Sequence, residues 1–93
     1  MDFTNIKQIL NLYKNNNIVK GRERIKKSLL SSPDEVITDF NIVVLTSAKT
    51  KPAPFVKSFI TDFVIQLGLH PDLVEKFNSF EESYMVKETL SKL

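Results

Sequence analysis

Cysteine is absent from this 93-residue chain, histidine occurs once and glycine only twice. The first absence excludes disulfides, thiolate metal sites and thiol nucleophiles. Small secreted domains often need covalent staples, so it also leans toward an intracellular, cytoplasmic protein. One histidine and two isolated glycines, Gly21 and Gly68, leave few parts for a nucleophile–base pair and none for a glycine-rich phosphate cradle. No basic region followed by an apolar run marks a leader at the start. The longest purely apolar stretch, Ile42-Val43-Val44-Leu45, falls far short of the roughly 20 residues a membrane span needs. Internal repeats are missing too.

The length suits one domain, residues 1–93, with a small core. Seven Phe and two Tyr supply much of it. Apolar residues recur every third or fourth position over most of the chain, which predicts an all-α bundle of five to six short helices.

Phe3, Ile6, Ile9, Leu10 and Tyr13 define a first helix over residues 3–14, with Asp2 or Thr4 as its cap. Asn15-Asn16-Asn17 ends it, since Asn tolerates left-handed backbone. A basic helix follows over 18–31. Ile18, Ile25 and Leu29 face inward, Lys20, Arg24 and Lys27 face outward, and Gly21 weakens the first turn so that the helix starts nearer Arg22.

Ser32-Pro33-Asp34-Glu35 combines an N-cap serine, a proline at the first helical position and a capping-box glutamate. The face Val36, Phe40, Val43, Val44 and Ala48 continues that helix, although the β-branched run 42–45 also fits a short strand. Residues 54–67 carry the most regular stripe: Phe55, Val56, Phe59, Ile60, Phe63, Val64 and Leu67. Gly68 sits where a left-handed C-cap belongs, with Leu69 as its apolar contact. A short helix over 71–77 opens on Pro71. The last, over 80–92, opens on a second capping box, Ser79-Phe80-Glu81-Glu82, and turns Val86, Leu90 and Leu93 to one side.

Charge is distributed unevenly. Residues 1–31 hold seven cations and two acids, a net of +5, whereas residues 32–93 hold six lysines and nine acids, a net of −3. Lys14, Lys20, Arg22, Arg24, Lys26 and Lys27 form the candidate binding set. Lys49 and Lys51, in the Pro-stiffened connector 48–54, are candidate additions to it. A solvated basic face is the plain reading of such a set. Among functional readings the first is a non-enzymatic protein-interaction module of regulatory or adaptor type, meeting an acidic partner surface or a second copy of the chain. The alternative is nucleic-acid binding through residues 20–27. Glu23 among the cations and the lack of interleaved aromatics count against the alternative.

The remaining motifs have structural explanations. His70-Pro71-Asp72 is a tripeptide that J-domains of co-chaperones carry after a basic helix, but here the preceding helix is apolar and nearly uncharged, so it reads as helix-start chemistry. Asp34, Glu35 and Asp39, and likewise Glu81 and Glu82, read as helix N-terminal acids rather than acid–base pairs. No metal-ligand spacing is present and no cofactor is expected.

Overall fold

The computed structural model describes residues 3–92, and over them the chain forms six helices and no strand. They are α1 (Thr4–Lys14), α2 (Ile18–Ser31), α3 (Pro33–Ser47), α4 (Pro54–Gly68), α5 (Pro71–Asn78) and α6 (Ser83–Lys92). The run 42–45 is helical, so the strand alternative falls: the periodicity set up from Pro33 outweighs the β preference of three branched residues. Asp2 and Leu93 lie outside the described residues.

Helix α1 lies against α2 and α4, α3 against α2 and α6, and α5 bridges α4 and α6. The radius of gyration, 12.2 Å, matches the roughly 12 Å of a compact chain this long. At the centre, Phe40 of α3 stacks on Phe63 of α4, with centroids 4.0 Å apart and ring planes 9° from parallel. Phe59 meets Phe40, Phe63 and Tyr13 at tilted or edge-to-face angles. Ile6, Ile9, Ile25, Leu29, Val36, Ile37 and Val86 close around these rings. Val64 follows the α4 pattern but stays exposed, because α6 barely reaches that side.

The α1–α2 corner is a Schellman turn made with asparagine. Asn16 has a left-handed backbone (φ 62°), its N–H donates to the Tyr13 carbonyl, and the Asn17 N–H donates to the Leu12 carbonyl. Other terminal signals act differently from expectation. Helix α2 begins at Ile18 and not near Arg22, with the Gly21 N–H already on the Asn17 carbonyl. Thr4 is the first helical residue of α1, with Phe3 at its N-cap. Ser32 occupies the N-cap of α3 and Pro33 follows it, but the serine side chain makes no cap hydrogen bond. Gly68 is not left-handed: it completes α4 in ordinary helical geometry, and Leu69 is exposed rather than packed. Residues 79–82 form a turn, so α6 starts at Ser83; Ser79 Oγ closes α5 by donating to the Lys76 carbonyl. Glu81 and Glu82 therefore precede α6 instead of filling its first turn. Asp39 also departs from the N-terminal reading, since it sits in the second turn of α3 and is buried.

Tyr13 ties three helices together. Its hydroxyl donates to Asp62 Oδ2 of α4 at 2.6 Å, and Arg22 Nε of α2 donates to the same oxygen at 3.0 Å. Burial, then the hydrogen bond and negative charge of Asp62, push the phenol pKa well above its ordinary value of 10.0, with Arg22 opposing. The folded state thus keeps this proton after the unfolded chain has lost it. The stabilisation is full below about pH 10 and is lost as pH rises through the folded value. Urea midpoints are expected to fall above about pH 10, and Tyr13→Phe to flatten that fall.

Candidate functional site

The cations of α2 divide between two faces. Lys20, Arg24 and Lys27, spaced by one turn each, line a groove of about 500 Å³ whose opposite wall is the start of α3. Arg22 and Lys26 lie round the helix from them. Arg22 faces α4, where its charge is matched by Asp62, and Lys26 is exposed. Lys14 is exposed in the last turn of α1. Lys49 and Lys51 are exposed in the α3–α4 connector, which borders a different depression, with Lys57 and Lys92. Neither of them lines the α2–α3 groove, so the eight candidate cations do not form one platform.

Within the groove the arginine is held in place and has no ion-pair partner among the described residues. Arg24 Nε donates to Asn5 Oδ1 at 3.1 Å, and Nη2 donates to Gln8 Oε1. Asn5 in turn donates through Nδ2 to Ser28 Oγ at 2.9 Å. Both acceptors on α1 are neutral amides, so neither offsets the guanidinium charge. Among the described residues two of its five N–H donors are engaged, and the others face no acceptor there.

Among the described residues two acids share this groove: Glu23 from α2 and Glu35 from the first turn of α3. Ser31 and Ser32 add hydroxyls at the α2–α3 junction. The lining therefore has both signs with a small cationic excess. Sequence spacing along α2 identified the three cations. It missed Asn5, Gln8 and Glu35. The one-residue junction at Ser32 was the available signal for Glu35, because so short a link must bring the start of α3 beside the end of α2.

Among the described residues no three His, Asp or Glu side chains gather as a metal set would require, and no helix is long and apolar enough to cross a membrane. Comparison with protein-family models, with curated proteins and with solved structures returns no match for this chain.

Proposed function

We propose that the chain is a non-enzymatic protein-interaction module, regulatory or adaptor in kind, working in the cytoplasm and binding an acidic segment of a partner in the α2–α3 groove. The observation that carries this reading is the preorganised Arg24, flanked by Lys20 and Lys27 in a groove that also contains Glu23 and Glu35. Cations one helical turn apart recur at about 5.4 Å. A peptide meets that spacing with separate carboxylates and can turn donors toward the two glutamates. A nucleic-acid strand would run its continuous negative charge past both acids. Among the described residues no aromatic side chain lines the groove to stack a base. The opposite net charges of residues 1–31 and 32–93 also favour pairing between copies of the chain.

The test uses a fluorescent helical peptide with glutamates at i, i+4 and i+7. The wild-type chain should bind it with salt-sensitive affinity, and Lys20→Glu with Lys27→Glu should weaken binding by about tenfold or more. Both lysines are exposed, so stability should change by no more than about 0.5 kcal/mol per site. Tight binding of duplex DNA, lost in the same variant and with a log–log salt slope near −0.9 per phosphate, would move the reading to nucleic acid. Sedimentation at several concentrations separates self-association from capture of the peptide.

A further inference from the structure

Lys20 and Lys27 line the α2–α3 groove as point charges on flexible stems, with no side-chain hydrogen bond or ion pair among the described residues. Arg24, one turn from each, is held differently. Its Nε donates to Asn5 Oδ1 and its Nη2 to Gln8 Oε1, while Asn5 is itself tied to Ser28 Oγ. Asn5 and Gln8 are three residues apart and so are neighbours on one face of α1.

Nε and Nη2 share one edge of the planar guanidinium. Both of their acceptors stand on α1, so that edge is turned to α1. Nη1 lies on the opposite edge and meets no acceptor among the described residues. The bidentate fork left over is the end of the group, where an N–H of Nη1 runs parallel to the second N–H of Nη2. Two parallel N–H bonds match the two oxygens of one planar carboxylate. An ammonium in the same place would supply the charge without the fork.

We infer that Arg24 is the specificity-determining residue of this groove and that its ligand is a single carboxylate, held end-on through both Nη atoms. Asn5 and Gln8 are the positioning residues that turn the guanidinium for it. Lys20 and Lys27 attract neighbouring acids without fixing their angle. Glu23 and Glu35 line the same groove and disfavour a denser run of negative charge than separate carboxylates present. The assignment rests on the reading of the groove as the seat of an acidic segment, and it names the group that is recognised there and the residue that selects it.

The experiment is a double-mutant cycle between the full chain and the helical peptide with glutamates at i, i+4 and i+7, whose middle glutamate comes opposite Arg24. Arg24→Lys keeps the charge and should weaken the peptide by about tenfold. Replacing the middle glutamate by glutamine should do the same to the wild-type chain, but should change the affinity of Arg24→Lys by less than about twofold. The same replacement at either outer position should cost about threefold in both chains. Gln8 is exposed, so Gln8→Ala leaves the fold and the net charge as they are; it should still weaken the peptide by about threefold or more, and Asn5→Ala likewise. In ¹⁵N spectra the Arg24 Nη signals, averaged by rotation in the free chain, should separate on binding. An amidated peptide with one internal glutamate, set against a glutamate-free peptide with a free C-terminus, identifies the source of the carboxylate: tighter binding of the first points to an acidic side chain, of the second to a chain end. Peptide binding that Arg24→Lys and Gln8→Ala leave unchanged, or additive losses across the cycle, would overturn the assignment while the acidic-segment reading stands. Absence of peptide binding by the wild-type chain would overturn both.

Discussion

Phe59→Ala and Phe63→Ala are each expected to cost about 3–5 kcal/mol, read as a shift in the urea midpoint at constant slope. Both rings are fully buried. Phe59 should fall at the upper end, because it touches Tyr13, Phe40 and Phe63 and so joins α1, α3 and α4. Phe63 stacks on Phe40 and leans on Phe59, and a cavity there lies between two helices instead of three. Neither hole can collapse easily, since Ile37, Phe40 and Val44 approach from a helix that is itself held on both sides by α2 and α6. The double variant should lose less than the sum, because the two cavities merge and share the Phe40 face. A domain of this length has on the order of 5–14 kcal/mol in total, so one alanine removes a large part of it. A loss below about 1 kcal/mol at both positions would contradict an aromatic core.

The same rings explain which parts of the fold were legible. Spacing of three and four residues marked the inner faces of α1 to α5, and the burial of Ile6, Ile9, Ile25, Phe40, Phe59 and Phe63 follows it. Local sequence was enough where the backbone itself demanded a residue type, as at Asn16 in the left-handed corner or Pro71 at the start of α5. It was not enough where a tertiary neighbour decides. Ser79 and Ser83 donate to different carbonyls near the end of α5, those of Lys76 and Asn78, and the chain turns through 79–82 before α6 begins. Gly68 had two uses open to it, as the last helical residue or as a left-handed cap, and no contact from Leu69 draws it into the second. At the candidate site, periodicity within α2 separated Lys20, Arg24 and Lys27 from Arg22. Only the packing of α1 and α4 determined that Arg24 would be held by amides and Arg22 by a carboxylate.

Gly21 is the position where tertiary packing most directly reverses a local expectation. Helix propensity alone says that Gly21→Ala gains about 1 kcal/mol, as does Gly68→Ala. At Gly68 a gain of about 0.4–1 kcal/mol should appear, because a Cβ there meets nothing within 4 Å and the backbone is already helical. At Gly21 a Cβ would lie 2.5 Å from Tyr13 Cε2 and 2.9 Å from Cδ2, well inside contact distance. The ring has little room to retreat: its edge packs on Phe59, and its hydroxyl is fixed to Asp62, which Arg22 also holds. Either α1 and α2 separate or the tyrosine gives up its hydrogen bond. Overpacking of this kind costs about 1–3 kcal/mol, and a phenol left buried without an acceptor costs a comparable amount. Gly21→Ala should therefore destabilise by up to about 2 kcal/mol once the propensity gain of about 1 kcal/mol is subtracted, opposite in sign to Gly68→Ala. Chemical denaturation of the two variants side by side checks the contrast. A cycle with Tyr13→Leu isolates the cause, since trimming the ring should make Gly21→Ala nearly neutral or favourable and give a coupling of about 1–3 kcal/mol. Equal gains at Gly21 and Gly68 would mean that α1 and α2 do not approach as closely as this corner requires.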